Sequence, residues 1–395
     1  MMQFRRSAFV PHDLKAPLSG RASGPLSGLT VAVKDMYDIA GERVSGGSPA
    51  WLAAQGPAAA HSAVVDRILQ AGGTIIGKTV CDEFFYSVTG MNAHYGTPVN
   101  PRTPGRIPGG SSAGSAAACG AGACDLAIGS DTAGSVRVPA AFCGLYGLRV
   151  THGRIDLRGA MAMAPSFDAG GWFAATPGLF ARVGSVLLDE RAAVQGSVSK
   201  LAWLGDAFGR ADARIGELAR GFLAQAAAIL PAMTEVSAAG EEIDAWREAM
   251  RVKQAAEVWQ TFGAFVRQHG DQLGPGIAER MRVASEISAD DLRKAEPTLV
   301  RVRKRMEVLT AQGTLLVLPT CASMAPLTTA SATDLDRYRI DTMRLVCMAS
   351  ISGLPQMTIP FATLEGAPVG LSFIGWRGSD EVLLDLALRL ARHLT

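Results

Sequence analysis

SAVVDRILQAGGTIIGKT, residues 62–79, admits two readings that lead to different folds. Its last eight residues, GGTIIGKT, satisfy GxxxxGK[ST], the pattern of a loop that cradles phosphate. Such a loop needs a strand before the first glycine and a helix after the Lys-Thr pair, so that helix N–H groups face the phosphate. Here the order is reversed. Val64, Val65, Ile68 and Leu69 recur at helical spacing ahead of Gly72 and Gly73, and the apolar residues Ile75 and Ile76 lie inside the supposed loop. The Lys-Thr pair then leads into VCDEFFY. The stretch therefore reads as a helix that stops at the paired glycines, then a short buried strand, TIIGK (74–78).

The same alternation extends both ways. LTVAVKD (29–35) reads as a strand that ends at Lys34. After the Gly/Ser stretch at 109–115, SAAACGAGAC has the composition of a tightly packed helix, and LAIGSD (126–131) returns as a strand. Residues 211–230, 241–266 and 289–312 read as amphipathic helices, with Pro297 expected to start or kink the last. TLLVLP (314–319), QMTIPF (356–361) and PVGLSFIG (368–375) read as strands, and DEVLLDLALRLARHL closes the chain as a helix. This implies an α/β class with much parallel pairing. Residues 1–24, rich in Pro, Ser, Gly and Arg, read as an irregular N-terminal arm. Residues 25–395 read as a single domain.

Hydrophobic residues make up 48% of the 395 and charged residues 19%, which allows a sizeable core and argues against disorder. Lys+Arg 38 against Asp+Glu 36 leaves +2, so neither nucleic acid nor an anionic membrane is an expected partner. RVRKR (301–305) reads as a solvated helix face. The N-terminus lacks the apolar run of a signal peptide, and no run of apolar residues is long enough to span a bilayer. The six cysteines (81, 119, 124, 143, 321 and 347) are scattered among apolar and small residues. They read as reduced thiols of a cytoplasmic protein, with no metal or other cofactor expected.

Two Gly/Ser segments remain, PGGSSAGS (108–115) and GSDTAGSVRVP (129–139). Alone, Ser111, Ser112 and Ser115 read as helix caps and Ser135 as a turn hydroxyl. Lys34 stands out because the end of an apolar strand can take its ammonium out of water. LTVAVKD, PGGSSAGS and GSDTAGSVRVPAAFCG together resemble the amidase signature family, in the order of its motifs. Ser111 and Ser135 have the family's separation of 24 residues. MNAHYGTPVNP, THGRIDLRGAMAMAPSFDAGGWFA and LGPGIAERM are similar to plant-type amidases acting on indole-3-acetamide and to related bacterial amidases.

The resemblance implies the amidase signature fold, a large central mixed but mostly parallel sheet with helices on both faces. It implies that Ser135 is the nucleophile, Ser111 a bridging serine that follows a cis bond from Gly110, and Lys34 the base. The N–H groups of Thr132, Ala133, Gly134 and Ser135 would form the oxyanion hole. Ala133 departs from the family's usual glycine, which puts the loop's backbone angles in question. Ser112 is expected to support Lys34 or Ser111, and Asp131 and Arg137 to brace the loop as an ion pair. Trp172, Phe173 and Trp259 are the expected pocket aromatics, beside Trp246 and Phe262. The implied partner is a small-molecule primary amide, apolar or aryl-alkyl, with a homodimer as the implied assembly. Allophanate-type or aliphatic amide hydrolysis, an amidotransferase subunit and a non-catalytic binding protein are the alternatives.

Overall fold

Within Thr30–Lys34, successive side chains enter different layers. Val31 and Val33 join one apolar cluster, Ala32 another, and Lys34 shares the face of Ala32. This strand sits inside the one sheet of a computed structural model that describes residues 7–194 and 196–394. Residues 1–6 of the expected arm lie outside the described residues.

Eleven strands among the described residues form the sheet: β1 (Leu18–Ser19), β2 (Thr30–Lys34), β3 (Thr74–Thr79), β4 (Leu126–Ser130), β5 (Tyr146–Arg149) and β6 (Gly170–Ala174), then β7 (Lys200–Leu204), β8 (Met233–Val236), β9 (Thr314–Pro319), β10 (Gln356–Leu364) and β11 (Ala367–Ile374). Their order is β1-β3-β2-β4-β6-β5-β10-β11-β9-β7-β8. Helices cover both faces. Ala63–Gln70, Pro177–Leu187 and Asp380–Leu394 pack on the side of Val31, Val33 and Trp172. Ala113–Gly120 and Arg137–Cys143 pack on the side of Ala32, Ala127 and Phe173. Farther along the sheet, Ile243–His269, Ala289–Leu309 and Ala332–Ser352 bury Trp246, Leu299 and Leu345 beside Leu316 and Leu318.

The α/β class and the mixed sheet match expectation, but the balance of pairings does not. Only β3–β2, β2–β4, β9–β7 and β7–β8 are parallel; the other six neighbouring pairs are antiparallel. Two features cause this. GGWFA, which carries little strand signal in its paired glycines, forms β6 and inserts between β4 and β5. β10 and β11 are joined by Glu365–Gly366, both at positive φ (51° and 78°), the backbone of a tight hairpin turn that matches strand twist. The last long helix before β9 also differs from expectation: Ser288 caps it and it runs through Pro297.

The described part of the arm is mostly turns and bends, but it is tied to the sheet. Leu18–Ser19 pairs with β3, and the Ala8 carbonyl accepts from Val80 N–H at 2.9 Å. Gly114 lies under that contact, because its own N–H bonds the Val80 carbonyl at 2.9 Å. A methyl at Gly114 would stand 2.2 Å from the Ala8 oxygen and 2.6 Å from the Val80 nitrogen. Backbone cannot yield as a flexible side chain does. Gly114→Ala should therefore lose about 1–3 kcal/mol, read as a lower urea midpoint at unchanged slope. An unchanged midpoint would show that the arm does not press on this helix.

Candidate active site

β2 and β4 run parallel, so their last residues, Lys34 and Ser130, finish side by side. The C-terminal ends of neighbouring parallel strands are where open α/β sheets place ligands. Ser111 arrives just ahead of the helix Ala113–Gly120, and Ser135 just ahead of Arg137–Cys143. Lys34 Nζ donates to Ser111 Oγ at 2.8 Å and to Ser130 Oγ at 2.9 Å. Ser111 Oγ in turn donates to Ser135 Oγ at 2.9 Å. All four side chains are buried. The Gly110–Ser111 peptide is cis. Ser112 makes no side-chain cap; its hydroxyl bridges the N–H and carbonyl of Ser130, both at 3.3 Å, and its N–H bonds the Ser135 carbonyl at 3.3 Å. It thereby ties the two serine segments to the end of β4.

Burial draws the Lys34 ammonium down from its ordinary 10.5 to about 8, although Cys81, Asp82, Asp131 and Asp168 pull the other way. The Phe85 ring centroid lies 4.6 Å from Nζ. Asp35, next in sequence, turns to His12 (2.9 Å), Ser45 and Lys78 (3.4 Å). Burial pushes the Asp35 carboxyl up, but His12 and Lys78 outweigh it and hold it below the usual carboxylate value. Lys78, the lysine of the phosphate-loop pattern, is thus an internal counter-ion at the end of β3; it also donates to the Arg43 carbonyl.

The loop before Ser135 is organised by Asp131. Its carboxylate accepts from Gly134 N–H (2.8 Å), Val136 N–H (3.0 Å) and the Arg137 guanidinium (2.7 and 2.9 Å). Burial raises its pKa, but Arg137, and after it Arg149, hold it well below the usual range. Arg137 is anchored further by Gln356 Oε1 at 2.6 Å and Ser350 Oγ at 2.9 Å. Gly134 takes the left-handed step at φ 102°, whereas Ala133 is absent from the positive-φ residues among those described. Alanine at 133 therefore meets no steric conflict. The expected oxyanion set needs one correction. Gly134 N–H is spent on Asp131, while no partner is seen for the N–H groups of Thr132, Ala133 and Ser135 among the described residues.

Ser135, Thr132 and Ala133 line a cavity of about 530 Å³ together with Phe85, Val88 and Met163. Phe85, Thr132 and Met163 also line a second cavity of about 270 Å³ with Ser130 and Asp168. The expected pocket aromatics are elsewhere. Trp172 and Phe173 are fully buried on opposite faces of β6, with Trp172 Nε1 bonded to the Phe180 carbonyl at 2.9 Å. Trp259 lies under Arg267, Trp246 is core, and Phe262 stacks on Phe84. A large ring signals volume to be filled, and here the core fills it. His94 binds Glu83 at 3.1 Å, a structural role. The six cysteines are free and buried, and no cluster of metal-ligating side chains occurs among the described residues. Sequence reasoning missed Ser130, Phe85 and Asp168, which takes the Thr132 hydroxyl at 2.6 Å. Only the position of Ser130 at a strand end beside Lys34 carried a usable signal.

Comparison with known proteins agrees with this geometry. The family model described as Amidase matches residues 11–195 and 221–384. Amidase 1 of Arabidopsis thaliana is 33% identical over 98% of this chain and 98% of its own. Outer envelope protein 64, chloroplastic, of Arabidopsis thaliana is 31% identical over 93% of this chain and 67% of its own. A crystal structure of an amidase superposes with a TM-score of 0.83 at 26% identity, covering 93% of this chain and 85% of the other. With the family model covering most of the chain, a relative 33% identical over nearly its full length and the shared fold, the chain belongs to the amidase, or amidase signature, family of hydrolases acting on carbon–nitrogen amide bonds.

Proposed function

We propose that this hydrolase cleaves a small primary amide to a carboxylate and ammonia through an acyl-Ser135 intermediate. The supporting observation is the pair of hydrogen bonds, 2.8 and 2.9 Å, that links a buried lysine to a serine in a cavity wall. Neutral Lys34 is the base. Once Lys34 is uncharged the two bonds reverse, Ser111 donating to Nζ and Ser135 to Ser111; Ser135 Oγ then attacks the amide carbonyl as its proton passes to Ser111 and the Ser111 proton passes to Lys34 Nζ. A hydroxyl can do this because it donates and accepts at once. The oxyanion that forms faces the unpartnered N–H groups of Thr132, Ala133 and Ser135, each worth on the order of 3 kcal/mol in such a role. The relay then returns a proton to the leaving nitrogen, the C–N bond breaks, and the acyl group remains esterified to Ser135. Water enters, gives a proton to the same relay and attacks the acyl carbon; the bond to Ser135 Oγ breaks, Oγ takes the proton back from Ser111, and the carboxylate leaves.

The hydrogen-bonded series from Lys34 through Ser111 to Ser135 favours this over a binding-only role, even though outer envelope protein 64 is among the relatives. Six free thiols fit a cytoplasmic setting, and no helix among the described residues is long and apolar enough to cross a membrane. The apolar or aryl-alkyl expectation loses support, since its aromatics do not line the cavity.

Three outcomes test this reading. Ser135→Ala should abolish ammonia release from primary amides while keeping the wild-type unfolding midpoint; residual turnover above background would remove Ser135 from the reaction. In wild type, kcat/KM should rise with pH to a plateau with a midpoint near 8, because only uncharged Lys34 accepts a proton. A flat profile from pH 6 to 9 would exclude Lys34 as the base.

The third outcome concerns stability. Folding weakens the hold of Lys34 on its proton, so the unfolded chain binds more protons between pH 8 and 10.5, and stability rises with pH across that window. The increment is up to about 3 kcal/mol. Urea titrations of wild type and Lys34→Met at pH 7 and 10.5 should differ by that increment; parallel responses would mean Lys34 keeps its ordinary affinity for protons.

A further inference from the structure

The cavity that holds Ser135 is lined by both apolar and charged side chains. Four arginines line it, Arg247, Arg251, Arg280 and Arg339, against two acids, Glu279 and Asp336. Three of the arginines are neutralised locally. Arg247 meets Asp244 at 3.4 Å, Arg251 meets Glu248 at 2.6 Å, and Arg339 meets Asp336 at 3.1 Å. Glu279 is occupied by Arg282 at 2.8 Å.

Arg280 is different. Its Nη1 donates to the Tyr86 carbonyl at 2.7 Å, and among the described residues no carboxylate is in ion-pair contact with it. Asp82 and Asp336 act on it only from a distance. Burial, and then the Arg339 guanidinium, lower its pKa to about 10, which still leaves it cationic at neutral pH. A guanidinium presents a rigid fork of five N–H donors, so one bond to a carbonyl leaves a face for a planar, two-oxygen acceptor. A part-buried cation without a counter-ion is costly, and here its position is enforced. Glu83 Oε2 accepts from Gly274 N–H at 2.9 Å and fixes the start of the helix Pro275–Ser285, while Tyr86 holds the tip of the side chain.

We propose that Arg280 anchors a carboxylate on the substrate, so that this site prefers half-amides of short dicarboxylic acids, with the amide at Ser135 and the acid at Arg280 of the same cavity. This rests on Ser135 being the nucleophile. It replaces a uniformly apolar acyl group with one that is apolar along its stem and anionic at its end. The acyl product is then a dicarboxylate.

The test compares kcat/KM by ammonia release for succinamate against butanamide, and glutaramate against pentanamide. Wild type should favour the acid member of each pair by roughly 10- to 100-fold, the range of a charge-assisted bond in a partly dry site. Arg280→Met should bring that ratio to within about threefold, and Arg280→Lys should retain part of it because the charge survives without the fork. Equal or greater turnover of the neutral member by wild type would overturn the proposal, as would an undiminished ratio in Arg280→Met. Should Arg280→Met not fold, the wild-type ratio and Arg280→Lys decide. Calorimetric binding of succinamate to Ser135→Ala separates the two assignments. Hydrolysis of neutral amides with no succinamate binding overturns the anchor alone. Succinamate binding that Arg280→Lys weakens, with no turnover of any amide by wild type, overturns the hydrolytic reading of Ser135 and leaves the anchor standing.

Discussion

Two lysines near the C-terminal ends of neighbouring parallel strands meet opposite fates. Lys78, at the end of β3, finds the Asp35 carboxylate at 3.4 Å; Lys34, at the end of β2, finds two hydroxyls and an aromatic face but no carboxylate in contact among the described residues. Removing an ammonium from water without a counter-ion is what lowers its hold on a proton. Every other feature of the site either maintains that desolvation or connects it to the cavity. Asp35 is turned away by His12, Ser45 and Lys78, and the Asp131 carboxylate is occupied by Arg137 and loop N–H groups. Asp82, Asp131 and Asp168 act on Lys34 only at a distance and moderate the shift without cancelling it.

The segment after β3 couples this lysine to the cavity. Asp82 N–H bonds the Ser111 carbonyl at 3.2 Å and Phe85 covers the lysine, while Glu83 and Tyr86 hold the helix and side chain of Arg280. Phe84 and Phe85 both adopt positive φ, 50° and 61°. Such conformations in bulky residues persist only where surrounding contacts fix them. Here Phe84 stacks on Phe262 at 4.5 Å between ring centroids, which turns Phe85 toward Lys34 and both cavities. A single short turn thus sets the wall on the side of Lys34 and on the side of Arg280.

Much of this was legible in the sequence where local pattern and tertiary role coincide. TVAVK declares a strand with a lysine at its end, and the two Gly/Ser segments declare tight turns ahead of small-residue helices; the structure joins all three. What was hidden has physical reasons. The antiparallel centre of the sheet depends on GGWFA, whose glycines erase the side-chain period, and on a Glu-Gly turn whose geometry emerges only once both residues take positive φ. Trp172 and Phe173 show that bulk alone does not say which way a ring faces. Arg280 sits in a helix of ordinary charge pattern, and only the pairing of its neighbours reveals that it has no carboxylate in contact among the described residues.

Proton transfer from Ser135 requires an amine at position 34 that sheds its charge well below the ordinary lysine value, and this is directly observable. With lysine side chains labelled with ¹⁵N, the Nζ or adjoining Cε resonance of Lys34, assigned by its loss in Lys34→Met, can be followed from pH 6 to 11. It should titrate with a midpoint near 8, apart from the exposed lysines. A Lys34 resonance that moves together with the exposed lysines, near 10.4, would contradict the relay at its base.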